Sequence, residues 1–169
     1  MHRRGERAER WIAHHLEGSA TVNSGAKYED GDWRGILRLY EVKEREIDDS
    51  IVVRGEAVNK HLGRAKREAL GPAFMVMTQS SWVYFIVPAE DYLLSAQAAG
   101  FEEASQMYAA APGMITKRGS NIKVKEEIVQ SFRDNGIFIW KYGRKNKDVW
   151  IIVEGLHWLE VCGEAKCLT

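Results

Sequence analysis

The spacing of apolar positions along the chain predicts alternating helices and strands. Between Gly5 and Leu16, the residues Ala8, Ile12, Ala13 and Leu16 recur at helical spacing, with Glu9 on the same stripe. That pattern predicts an amphipathic helix. Residues 18–31 are rich in turn formers around a short apolar stretch at Ala20–Val22. From Ile36 to Lys43 the period becomes two. Leu37, Leu39, Glu41 and Lys43 share one face of a predicted strand, and Ile36, Arg38, Tyr40 and Val42 share the other. Arg54–Leu70 reads as a second helix, ended by Gly71-Pro72. Ala73–Thr78 and Trp82–Val87 read as strands and Ala89–Ala98 as a helix. Val124–Asn135 reads as a short helix closed by Gly136, followed by strands at Ile137–Tyr142 and Val149–Val153 joined by a basic loop. The order predicts an α/β fold with a central mixed sheet flanked by helices. No internal repeat is evident, and the Ala/Gly/Pro stretch at Ala109–Gly113 suggests a boundary. A core over residues 1–99 and a C-terminal extension over 100–169 are therefore expected.

Composition narrows the class. A chain of 169 residues, 45% hydrophobic and 28% charged, can bury a core and is not expected to be disordered. No apolar run reaches the roughly 18 residues of a membrane span, and no signal-peptide h-region follows Met-His-Arg-Arg. Membrane association is not expected. Two cysteines cannot form a disulfide framework, so a reducing, cytoplasmic setting is expected, the host cytoplasm if the chain is viral. Zero net charge excludes a uniformly basic nucleic-acid coat protein. The charge is uneven, however: residues 117–147 hold 9 Lys/Arg against 3 Asp/Glu, whereas residues 73–116 hold none against 4.

The candidate chemistry lies in Glu9, Asp32, Glu41 and Lys43. Glu41 and Lys43 leave one strand face, about 7 Å apart at the backbone, beside Leu37 and Leu39. They would sit at the rim of a core. Asp32 follows Gly31 just before that strand, where it can come alongside Glu41. Two carboxylates and a backbone carbonyl such as that of Val42 form a hard-oxygen set suited to Mg²⁺ or Mn²⁺. Lys43 would orient an attacking water and stabilise charge on a phosphate. Glu9 lies on an apolar helical stripe, where a carboxylate is costly unless something pairs with it. The bland alternative is that each carboxylate is a solvated surface group.

Gly31-Asp32 followed by Glu41-Val42-Lys43 resembles the PD-(D/E)XK nuclease motif, with glycine in place of its proline. Residues 1–10 (Met-x-Arg-Arg-Gly-x-x-Ala-Glu-Arg), Asn23-Ser24-Gly25-Ala26 and Tyr40-Glu41-Val42-Lys43 are together similar to the archaeal Holliday junction resolvases and their viral relatives. The resemblance covers about half the chain, to about Val87. It implies a restriction-endonuclease-like sheet and a Mg²⁺-dependent, structure-selective DNA endonuclease of recombination and repair, with Mn²⁺ as a substitute metal. It also implies a homodimer that resolves four-way junctions by paired nicks. Glu9, Asp32, Glu41 and Lys43 fall on the family's catalytic positions, Arg10 on an arginine beside the helical glutamate, and Ser24 within a loop near the active site. The Asp32-to-Glu41 hairpin is short, and roughly 80 residues follow the family-like region. Other branched DNA, a restriction or repair substrate, and a non-catalytic DNA-binding role therefore stand as alternatives.

The remaining candidates concern DNA. Lys60, Arg64 and Arg67 form one basic stripe on the second predicted helix, and Arg144, Lys145 and Lys147 a basic loop. Both suit phosphate contact, which positions DNA without reading its sequence. Phe138, Trp140, Tyr142, Trp150 and Trp158 are candidates for base stacking or, more simply, for a core. His157, Cys162 and Cys167 lack a Cys-x-x-Cys knuckle and a compelling fourth ligand, so zinc is not expected.

Overall fold

The computed structural model describes residues 5–21, 32–45, 49–101, 108–109, 115–118, 121–131, 137–142 and 148–167. Helix α1 (Glu6–His15) leads into β1 (Ser19–Ala20), β2 (Asp32–Arg34), β3 (Arg38–Glu44) and β4 (Ser50–Val53). Helix α2 (Gly55–Arg67), β5 (Gly71–Met77), β6 (Val83–Pro88) and α3 (Ala89–Ala98) follow. The second half contains β7 (Tyr108–Ala109), β8 (Ile115–Arg118), β9 (Asn121–Lys125), α4 (Glu126–Ser131), β10 (Ile137–Tyr142), β11 (Asp148–Glu154) and α5 (Gly155–Val161).

Eight strands form a mixed sheet in the order β1-β2-β3-β5-β6-β11-β10-β7, and β4-β9-β8 form a second, three-stranded sheet. β3 runs parallel to β5 and β7 parallel to β10; the other pairs are antiparallel. A parallel pair needs a crossover, and β4 with α2 supplies the one between β3 and β5. The large sheet is therefore buried on both faces. Against one face pack Ala8, Ile12 and Leu16 of α1, Tyr92 and Ala96 of α3, and Trp158 and Val161 of α5, around Tyr40, Val42, Met75 and Phe85. Against the other pack Val58 of α2, Val129 of α4 and the inner residues of the small sheet, around Phe74, Val76, Tyr84 and Ile152. Two-sided burial explains why β5 and β6 are unbroken apolar runs rather than alternating ones.

The α/β class and the flanking helices agree with the sequence pattern. Three features differ. Val124 lies in β9, not in a helix, because Ile122 and Val124 face inward while Asn121, Lys123 and Lys125 face outward, a period of two. α5 and the strands β4, β7 and β8 have no counterpart among the expected elements. Finally, the C-terminal region is not set apart from the core: β11 lies between β6 and β10, and Trp158 and Cys162 are fully buried. No described helix is long and apolar enough to cross a membrane.

Candidate acidic site on the β2–β3 hairpin

Asp32 opens β2 directly opposite Glu41 of β3, with Trp33 opposite Tyr40 and Arg34 opposite Leu39. Directly opposed residues project to the same face with Cβ atoms about 5 Å apart. The hairpin thus brings together two carboxylates that lie nine positions apart in sequence. Lys43 follows two residues on, and its Nζ lies 4.0 Å from Glu41 Oε1. The side chains grade from buried to open: Asp32 is 4% exposed, Glu41 18% and Lys43 29%. Beside Lys43, a crevice of about 10 Å³ is lined by Val53, Ala57 and Phe74.

The strand carrying Glu41 and Lys43 is pinned at both ends. At its start, Arg38 is 3% exposed and its guanidinium donates to both oxygens of Asp91 (2.7 and 2.8 Å), to Ser95 Oγ (2.7 Å) and to the Cys162 carbonyl (2.8 Å). It also lies 4.6 Å from the centre of the Trp158 ring. Glu164, 2% exposed, accepts from the Leu37 backbone N–H (2.8 Å), from Arg38 (3.3 Å) and from the Tyr40 hydroxyl. Burial opposes the charge on Arg38, but the neighbouring carboxylates outweigh it and raise its pKa. Burial, reinforced by Glu164, holds the Tyr40 hydroxyl well above its usual range. A Cβ at Gly35 would stand 2.8 Å from Glu164 Oε2 and push that carboxylate aside. At the far end, Glu44 accepts from the Gly5 backbone N–H (2.8 Å) and from Arg7 Nε (2.5 Å). These contacts tie β3 to the first helix and to the last residues of the chain.

Helix α2 closes the face that bears the acids. His61 Nε2 donates to the Leu39 carbonyl (2.8 Å), and its ring lies 4.9 Å from that of Phe74. Burial lowers the His61 pKa. One turn on, Arg64 forms an ion pair with Asp32 Oδ2. That oxygen is buried, and the Arg64 guanidinium is its counter-ion. A buried carboxylate oxygen opposite a second carboxylate needs a cation beside it, here the guanidinium. Two opposed carboxylates are hard oxygen donors, the kind of ligand that Mg²⁺ or Mn²⁺ takes.

The other sequence candidates are distributed as follows. Glu9 is half-buried on α1, which packs on the Tyr40–Val42 face. Asp32, Glu41 and Lys43 project from the opposite face, and among the described residues no three His, Cys, Asp or Glu side chains gather as ligands. Val42 lies one residue beyond the last β2–β3 pair, opposite Met75 of β5. Arg10 is exposed and paired with Glu6 one turn away. Of the basic stripe, Lys60 and Arg67 are exposed, but Arg64 is engaged by Asp32 rather than presented as a phosphate contact. Ser24 and the loop with Arg144, Lys145 and Lys147 lie outside the described residues, as do the side chains of Phe138, Trp140 and Tyr142. Trp150 and Trp158 are core residues, 3% and 0% exposed, and are not available for base stacking. His157 meets the Tyr92 hydroxyl at 2.6 Å, while Cys162 is buried and Cys167 exposed.

Sequence reading missed the Arg64–Asp32 pair and the Arg38–Asp91–Glu164 cluster. A signal for the second existed in Arg38, a charged residue alternating with Tyr40 and Val42 on an inward strand face. A larger cleft of about 480 Å³ lies elsewhere, bordered by Asp49, Trp82, Lys123, Lys125 and Glu126. Its buried carboxylate, Glu126, already accepts from the hydroxyls of Thr78 (2.8 Å), Ser80 (2.9 Å) and Tyr84 (2.9 Å), which gives it a structural role. Comparison with protein-family models, with curated proteins and with solved structures finds no match to this chain.

Proposed function

We propose that the protein is a metal-dependent DNA endonuclease of the PD-(D/E)XK type, acting on branched DNA, with the β2–β3 hairpin as its catalytic edge. The observation that carries this reading is the direct opposition of Asp32 and Glu41, with Lys43 two residues further along the same face. The α1–β2–β3–α2–β5 order, with β3 and β5 parallel, supports a restriction-endonuclease-like core. A divalent cation bound there would supply Lewis-acid polarisation of a phosphate oxygen. Asp32 and Glu41 would hold it, and Arg64 must release Asp32 for that to happen. Lys43 stands where a cation can neutralise charge developing on the attacked phosphate and orient the incoming water. The exposed Lys60 and Arg67 on α2 flank this edge and suit phosphate contact.

The Arg64–Asp32 pair also favours a second reading, a DNA-binding protein that retains the fold without cutting, because an internal cation already neutralises the acid. Cleavage of labelled four-way junctions and linear duplex in Mg²⁺, with EDTA as control, separates the two. We expect Mg²⁺-dependent cutting of the junction, and Glu41→Gln and Lys43→Met each to bind DNA normally while losing at least about 10²-fold in cleavage rate. Normal cutting by Glu41→Gln would remove that residue from the site. Absence of cutting by the wild-type protein on all branched DNA would favour the binding role.

A further inference from the structure

The chain repeats its own architecture about an approximate two-fold axis. Strand β4 runs directly into α2 at Gly55 and β6 into α3 at Ala89; in the second half β9 runs into α4 at Glu126 and β11 into α5 at Gly155. Aligning these helix starts matches Val52 with Lys123 and Ile86 with Ile152. These same residues stand directly opposite each other, Val52 against Lys123 in the small sheet and Ile86 against Ile152 in the large one. A residue facing its own counterpart across an antiparallel pair marks the two-fold axis of an isologous contact. Here it occurs in both layers. The outer strands follow the same rule. Phe74 of β5 faces Ile86, and Phe138 of β10 faces Ile152. β3 runs parallel along β5, and β7 parallel along β10. Matched residues also recur in kind: Ile51 with Ile122, Val53 with Val124, and Val58 with Val129, all but one of them at most 4% exposed and Val53 at 5%.

The chemistry is not repeated. Glu41 lies opposite Phe74, whereas the residue opposite the matching Phe138 is Tyr108, followed by Ala109 and, in sequence, Ala110. The second copy thus has no carboxylate and no lysine where the first has Glu41-Val42-Lys43. Lys123 and Lys125 are exposed on β9, in a segment, residues 117–147, that holds 9 Lys/Arg against 3 Asp/Glu.

We infer that this chain is a two-fold unit fused into one polypeptide, which works as a monomer with a single acidic site. Both cores span the axis, and the edge of β6 that two separate copies would share is occupied by β11. The site count rests on the nuclease reading; the fusion rests on register alone. Three measurements on the full chain test the inference. Light scattering of the free protein at tens of micromolar should give the mass of one chain, 19.2 kDa; twice that mass overturns the monomer. Calorimetric titration with Mn²⁺ should saturate at one acidic site per chain, lost in Glu41→Gln, and two equivalent sites overturn the single-site assignment. With strand-labelled junction in excess over protein, one strand should be cut per turnover, and paired cuts by a single chain overturn it. If neither cutting nor Mn²⁺ uptake occurs, the nuclease reading fails while the solution mass still decides the fusion.

Discussion

Replacing Arg64 by methionine probes the acidic site without touching either carboxylate. Arg64 is one-third exposed and Asp32 almost wholly buried, and the substitution keeps the apolar stem while removing the charge that balances Asp32. Breaking a fully buried pair costs about 3–5 kcal/mol, and an exposed one about 0–1 kcal/mol. A pair with one partner buried falls between them, at about 1–2 kcal/mol. The directly opposed Glu41 adds like-charge repulsion once the guanidinium is gone. For a domain of this size each kcal/mol shifts Tm by about 2–4 °C, so Arg64→Met in EDTA should melt about 2–8 °C below wild type. Divalent metal should then reverse the loss. A ligand present at about 100 times its Kd stabilises by about 2.7 kcal/mol, and in the variant it no longer competes with Arg64 for Asp32. Differential scanning fluorimetry with Mg²⁺ or Mn²⁺ titrated against EDTA reads both effects. The variant should gain more Tm than wild type and bind metal more tightly. A variant that melts low and gains nothing from either cation would refute the assignment of Asp32 as a metal ligand.

Three further outcomes are expected. Glu164→Ala leaves Arg38 buried with one carboxylate fewer and removes the acceptor of the Leu37 N–H, so urea denaturation should show a loss of about 3–5 kcal/mol; a loss below about 1 kcal/mol would mean that the cluster is not what holds the C-terminal residues to β3. His61 is buried with a lowered pKa, so its neutral form contributes fully above the unfolded value of about 6.5, and that contribution is lost as pH falls from there through the depressed folded value. Stability measured at pH 7.5 and 5.5 should therefore fall more in wild type than in His61→Asn, and equal falls would assign the acid sensitivity to other groups. Neutralising Arg144, Lys145 and Lys147 together should weaken DNA binding at every sequence and flatten its dependence on salt, and an unchanged slope would remove this loop from the phosphate contacts.

The sequence alone determined most of the elements of the first 99 residues and which strand carries the candidate acidic site. Period-two alternation over Ile36–Lys43 placed Glu41 and Lys43 on one face, because side chains of a strand alternate whatever surrounds it. The helix at Ala89–Ala98 and the strands on either side of residues 143–147 were legible for the same reason, in the periodicity of apolar side chains. Tertiary structure alone decided which face of β3 met which helix. It put Glu9 in the layer opposite Glu41, and it turned Arg64 from a surface cation into the counter-ion of Asp32. It also revealed the two-fold repeat, which the sequence hides because burial requires only apolar character at matched positions: Tyr92 and Trp158 fill corresponding places without being alike. Pairing register depends on contacts between residues far apart in the chain, and those arise only when the whole sheet forms.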